Sequence, residues 1–334
     1  MDKKSNTEAE LKGELLTLKQ SGQLSEKYYE LILGSIHSFK EALVSANRPF
    51  EPMVPLLGLF FRYLLEQIKS PYHFEPYHQK IPEYYKFSLD FFRSLIHLEK
   101  SKVVGQSQLD TMTAQLAKGE NVVFLANHQT EADPQAIALL LEKTHPKLAG
   151  EIIYVAGERV ITDPMAIPFS LGTNLLCIYS KRYIDFPPEE KANKQNHNKK
   201  TMELMSRLLQ EGGKAIYVAP SGGRDRKDGA GNIVPAQFDP NSVEMFYLMA
   251  KKAKTPTHFY PLALDTYKLL PPPESIQVEL GEIRTAKYSA VHIAFGPECE
   301  LEISSNESKE ERRKMRADKI WKNVCNLYEE ICRC

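Results

Sequence analysis

The chain has 334 residues, 42% of them hydrophobic and 26% charged, the composition of an ordinary folded protein and not of a disordered one. Its 43 basic and 43 acidic residues cancel, so no global positive field exists to hold nucleic acid, and any anion must be recognised by a local cluster. The length suggests two domains rather than one.

The N-terminus is polar and rich in Glu, with neither the apolar stretch of a secretory signal nor the Arg/Ser-rich character of a transit peptide. Ser25 is placed to cap a helix through Tyr28, Leu31, Ile32, Ile36 and Phe39, where apolar residues recur at spacings of three and four. Asn47-Arg48-Pro49 ends it. A second helix is predicted from Leu56 to Ile68. Its apolar run, Met53 to Phe61, is stopped by Arg62, far short of the roughly 20 residues a membrane span needs. That excludes a spanning helix and leaves only a peripheral membrane contact open. Pro71, Pro76 and Pro82 mark an irregular linker, and a third helical pattern runs through Tyr84, Phe87, Phe91 and Leu95.

From about residue 120 short apolar runs alternate with helical patterns. Strands are predicted at Val122–Ala126, Ile152–Ala156, Leu175–Tyr179, Ala215–Ala219 and Phe259–Leu264, with helices at Pro134–Leu141, Lys191–Leu209 and Asn241–Lys252. Ile276–Leu280 and Val291–Phe295 are read as edge strands, and a last helix covers Lys309 to Ile331. The expected architecture is α/β: a mixed, largely parallel sheet flanked by helices in residues 81–334, preceded by a small helical-bundle domain in residues 1–80. Five Cys without redox or zinc spacing point to a reducing, cytoplasm-like compartment.

Open α/β sheets bind ligands beyond the carboxyl ends of their strands, so the chemistry is sought there. The first strand leads into Asn127-His128-Gln129-Thr130-Glu131-Ala132-Asp133-Pro134. Inside one helix, side chains five apart diverge by about 140°, so His128 and Asp133 meet only if His128 lies on the turn before the helix and Asp133 near its start. Pro134 at the first helical position fits that. A carboxylate on an imidazole fixes its tautomer, as a general base requires. Asp133-Pro134 is equally an ordinary N-cap and N1.

Another strand end carries Pro220-Ser221-Gly222-Gly223-Arg224-Asp225-Arg226. Paired glycines let backbone N–H groups converge on an anion, and Arg224 and Arg226 supply guanidinium forks for a phosphate. The alternative is a Gly-Gly turn with solvated charges. Ser221 tempts as a nucleophile, but no base accompanies it, and neither a Walker A loop nor a Gly-x-Ser-x-Gly elbow is present. After the strand ending at Tyr179, Ser180-Lys181-Arg182-Tyr183 opens a segment to Lys200 with six basic and three acidic residues. Arg182 shares the sheet edge with the other motifs. Lys191, Lys194, Lys199 and Lys200 read as a solvated helix face. The His residues show no metal-ligand spacing.

In order along the chain, these blocks resemble the glycerolipid acyltransferases: the Asn127–Pro134 run their first block, Pro220-Ser221-Gly222-Gly223-Arg224 their third, and Phe259-Tyr260-Pro261-Leu262-Ala263-Leu264 their apolar-Pro block. The helical N-terminal region and the wording of the first block resemble the plastid-type glycerol-3-phosphate acyltransferases over essentially the whole chain. The resemblance implies transfer of a fatty acyl group from acyl carrier protein or coenzyme A to the sn-1 hydroxyl of glycerol 3-phosphate. It implies a catalytic pair His128 and Asp133, and phosphate contacts from Arg224 and Arg226. Where that family has Ser-Lys-Lys-His, Arg182 keeps the charge and Tyr183 replaces a cation by a hydroxyl. Backbone N–H groups at the helix start are expected to hold the oxyanion, and the chemistry requires no metal or bound cofactor. A bacterial cytosolic or processed plastid enzyme is implied. The rival readings are a lysophosphatidic acid acyltransferase and a non-catalytic phosphate- or carrier-binding module.

Overall fold

The computed structural model describes residues 7–180, 184–272, 284–303 and 307–333. Three helices come first: α1 (Glu8–Gln20), α2 (Glu26–Val44) and α3 (Val54–Lys69). The Ser25 hydroxyl caps α2 by accepting from the Tyr28 amide, as its position predicts. A short strand β1 (Tyr77–His78) lies within the proline-marked linker, and α4 (Pro82–Arg93) follows. Next come β2 (Lys102–Val104), α5 (Gln106–Ala117), β3 (Asn121–Ala126), α6 (Asp133–Leu141) and α7 (Pro146–Glu151). The chain continues through β4 (Ile153–Gly157), α8 (Glu158–Thr162), α9 (Ile167–Ser170), β5 (Asn174–Ile178) and α10 (Lys191–Glu211). It closes with β6 (Ala215–Val218), the hairpin β7 (Arg226–Lys227) and β8 (Ile233–Val234), α11 (Pro240–Ala253), β9 (Thr257–Asp265), β10 (His292–Phe295) and α12 (Lys309–Cys332).

Among the described residues the main sheet runs β1-β5-β4-β6-β3-β9-β10-β2. Strands β5, β4, β6, β3 and β9 are mutually parallel, and β1 and β10 pair antiparallel at the two flanks of that block. The α/β reading therefore holds. Val291–Phe295 is not an edge strand: β10 is enclosed between β9 and β2, because the short β2 pairs parallel to it and takes the edge. Ile276–Leu280 lies outside the described residues.

All six residues of β3 are buried, the mark of a strand covered on both faces. Its pleat splits them between two cores. Val122, Phe124 and Ala126 pack with Leu109 and Met112 of α5 and Ile137 and Leu141 of α6. Val123 and Leu125 pack with Met205 of α10, Phe246 of α11 and Ile320 of α12. A third cluster joins Leu15, Ile36 and Phe61 of α1–α3 to Phe91 of α4 and to Ala136 and Leu139 of α6. The N-terminal helices thus brace the outer side of α6, whose first residue is Asp133.

Candidate active site

Strand β3 stops at Ala126, and the loop to α6 carries His128. The N-cap of α6 is Ala132, so Asp133 is its first residue and Pro134 its second, one place later than expected. Asp133 is therefore not an N-cap. Its buried carboxylate turns back into the loop. Oδ2 accepts from the Gln129 amide at 2.9 Å and lies 2.7 Å from Nδ1 of His128. Oδ1 accepts from the Thr130 amide and hydroxyl, each at 3.2 Å, and from the Thr266 hydroxyl at 2.5 Å. Against a carboxylate oxygen Nδ1 is the donor, so the neutral ring carries its lone pair on Nε2. The His128 side chain is 31% exposed and Asp133 only 1%. A buried anion orients a ring whose other nitrogen belongs to the solvent side, the layout a general base needs.

The flanking amides hold this loop to the neighbouring strands. Asn127 Oδ1 accepts from the Leu264 amide (2.8 Å), and its Nδ2 donates to Leu264 O (2.9 Å) and to Asp225 (2.7 Å). Gln129 Oε1 accepts from the amides of Thr266 (2.7 Å) and Tyr267 (2.8 Å), and its Nε2 donates to Asp225 (3.2 Å). The Tyr217 hydroxyl at the end of β6 donates to Asn127 O at 2.8 Å. Leu264, Thr266 and Tyr267 lie at the carboxyl end of β9 and Tyr217 near that of β6, the two strands that flank β3, and Asp225 lies in the loop beyond β6.

The second motif follows β6. Gly222 has φ +65 and donates from its amide to Ala219 O, closing a tight turn. The Ser221 hydroxyl donates to Gly223 O. A Cβ on Gly222 or Gly223 would meet nothing within 4 Å, and both residues are exposed. Arg224 and Arg226 are half-buried on either side of fully buried Asp225, and Arg226 opens β7 opposite Val234. The Asp225 amide donates to His128 O at 2.7 Å, which brings the two motifs together. Burial pushes the Asp225 carboxyl up to about 6 despite its donors.

Glu131 ties in a third segment. Arg284 donates from Nε and Nη2 to Glu131 at 2.7 and 3.2 Å, and from Nη2 to Asp163 at 2.9 Å. Burial alone would raise the Glu131 carboxyl, but Arg284, then Arg224 and His128, draw it below the ordinary range.

Arg182 and Tyr183 lie outside the described residues. The chain is described as far as Ser180, beyond β5, which is separated from β6 by β4. The amides of Gln129, Thr130, Ala132 and Asp133 have acceptors within their own loop. One expectation needs correction. Lys194 is not on a solvated face: it is buried and donates to Glu158 at 3.0 Å and to Phe186 O at 2.6 Å. Lys199 and Lys200 are exposed.

Sequence reasoning missed Asp225, Thr266 and Arg284, and treated Asn127 and Gln129 only as letters of a motif. The available signal was two amides alternating around a histidine at a strand end, a pattern that staples a loop to both neighbouring strands.

A profile of the acyltransferase family matches residues 100–265. The chain is 36% identical over 323 residues to a chloroplastic glycerol-3-phosphate acyltransferase of Carthamus tinctorius, covering 94% of this chain and 68% of that protein. It is 35% identical over 330 residues to the one from Spinacia oleracea (96% and 70%), and 36% identical over 300 residues to the one from Arabidopsis thaliana (87% and 65%).

Proposed function

The chain belongs to the glycerol-3-phosphate acyltransferase family, and on that premise we propose that it moves a fatty acyl group from a thioester donor to the sn-1 hydroxyl of glycerol 3-phosphate. The product is 1-acyl-glycerol 3-phosphate. The donor is acyl carrier protein or acyl-coenzyme A. The observation that carries this reading is the buried Asp133 carboxylate 2.7 Å from Nδ1 of His128, on a loop bonded to the arginine motif.

The phosphate is held by Arg224 and Arg226 at the Gly222-Gly223 turn. Gly223 supports this: its φ is not left-handed and a Cβ there would clash with nothing, so the protein itself does not demand glycine, whereas a closely approaching ligand does. Held by its phosphate, the acceptor presents its hydroxyl to Nε2 of His128. The oxygen attacks the thioester carbonyl as its proton passes to Nε2, and Asp133 stabilises the imidazolium. When the tetrahedral adduct collapses, the C–S bond breaks and the imidazolium returns its proton to the leaving thiolate. Ser221 takes no covalent part. Arg182 and Tyr183 are assigned to further phosphate contacts on the resemblance alone.

Among the described residues no helix is long and apolar enough to cross a membrane. We assign the enzyme to the bacterial cytosol, or to the plastid stroma as a processed form, with at most peripheral membrane contact; cell fractionation checks this. Acylation of radiolabelled glycerol 3-phosphate, run with each donor, tests the function. Acylation of lysophosphatidic acid instead overturns the acceptor, and binding without turnover under either donor overturns catalysis.

A further inference from the structure

Asp225 is a carboxylate where an anion-binding motif has least use for one. It sits between Arg224 and Arg226 in sequence, and its negative charge opposes a phosphate held there. Yet it is fully buried, and it is bonded on every side. Oδ2 accepts from Asn127 and Gln129, the residues on either side of His128, and Oδ1 accepts from the Ala236 amide at 2.9 Å, beyond the β7–β8 hairpin. Its own amide reaches His128 O.

Three roles can be separated on this geometry. Asp225 does not touch substrate, because its side chain has no exposed surface. A stabilising buried charge is also a poor account, since burial pushes its carboxyl up to about 6, the direction in which the ionised form is disfavoured by the fold. What remains is geometric. From its place between the two arginines, the carboxylate grips both neighbours of the proposed base and the Ala236 amide beyond the hairpin that Arg226 opens.

We propose that Asp225 is a positioning residue that fixes the distance between the phosphate-binding arginines and His128, so that one bound acceptor reaches both. The proposal rests on the reading of Arg224 and Arg226 as phosphate ligands. A carboxylate suits the task because it accepts at both oxygens. In Asp225→Asn the side-chain shape is kept, but the amide cannot accept at both ends, so its NH2 faces either the Ala236 amide or the Asn127 and Gln129 donors. The backbone bond to His128 survives, and the arginine segment is left free to shift by a few tenths of an ångström.

The test is steady-state kinetics of Asp225→Asn, Arg224→Ala and the double variant, each substrate varied separately, with thermal unfolding measured alongside. In Asp225→Asn the KM for glycerol 3-phosphate is expected to rise roughly five- to ten-fold and kcat to fall about ten-fold, with the donor KM unchanged. A merely unstable variant loses kcat through its inactive fraction and keeps both KM values. Asp225→Ser, which can accept only in part, is the second variant, with the same split expected. The double variant should have an acceptor KM within about two-fold of Arg224→Ala, because the two act through one contact. An acceptor KM within two-fold of wild type in both Asp225 variants, or full multiplication in the double variant, overturns the proposal. If Arg224→Ala itself leaves the acceptor KM unchanged, the phosphate assignment falls, and the positioning role with it.

Discussion

His128 and His258 stand at opposite ends of one pair of strands. His128 follows the carboxyl end of β3, whereas His258 is the second residue of β9, paired with Val122 at the amino end. Both rings are partly buried and both meet carboxylates. His258 meets two: Nδ1 is 2.8 Å from Glu298 and Nε2 is 3.0 Å from Glu120. Neither nitrogen is left for a substrate proton. His128 bonds to the Asp133 carboxylate through Nδ1, and its ring remains open on the other side. A cleft of about 610 Å³ lies at the His258 end, lined by Phe259, Lys251 and Glu298 among others. Cleft size and free imidazole nitrogen thus fall at opposite ends: the cleft adjoins the ring bonded to two carboxylates, and the ring bonded to one is the proposed base.

That contrast can be broken most directly with His128→Ala, which is expected to lower kcat by at least about 10²-fold with its melting temperature retained. His258→Ala should leave kcat within about two-fold. Equal losses in the two variants would erase the difference between the ends. Next comes Asp133→Asn. An amide can accept from Thr130 and Thr266 but cannot both hold Nδ1–H and stabilise an imidazolium, so kcat should fall roughly ten- to hundred-fold with both KM values little changed. Near-normal turnover would reduce Asp133 to a loop staple.

A smaller effect is expected at the opposite end. Glu120→Gln and Glu298→Gln each remove one partner of a partly exposed pair, and a melting shift of about 1–3 °C without loss of turnover is the expected result. The last prediction concerns pH. The Asp225 carboxyl titrates higher in the fold than in the unfolded chain, at about 6. Its contribution to stability is therefore fully present below the unfolded value and is lost as pH rises through about 6. Asp225→Asn should accordingly flatten stability between pH 4.5 and 7, by on the order of 1–3 kcal/mol relative to wild type in urea titrations.

The parallel strands were legible because each is a short apolar run with turn residues at its ends. The predicted Val122–Ala126 and Ala215–Ala219 agree with β3 and β6 to within a residue or so. β2 was not legible: three residues, none fully buried, carry no periodic signal. α5 was missed because Leu109 and Met112 are its only buried apolar residues. The pairing of His128 with Asp133 could be read locally, since five residues of loop and helix start decide it. Asp225 could not. A carboxylate between two arginines reads as a solvated charge, and its burial depends on Asn127, 98 positions away. The same holds for Arg284, whose partner Glu131 is 153 positions distant.

Those separations carry a kinetic consequence. The bonds that hold the loop after β3 span 98 positions to Asp225, 133 from Asp133 to Thr266 and 137 from Asn127 to Leu264. Their donors and acceptors meet only once β6 and β9 have both docked on β3. Parallel pairings of such range are slow, because the entropy of closing the intervening chain is lost before the strands begin to stabilise one another. During refolding from urea, helical circular dichroism should therefore return first. Catalytic competence should follow in a later phase, as β9 completes the central sheet and its last residues close over the carboxylate that aligns His128.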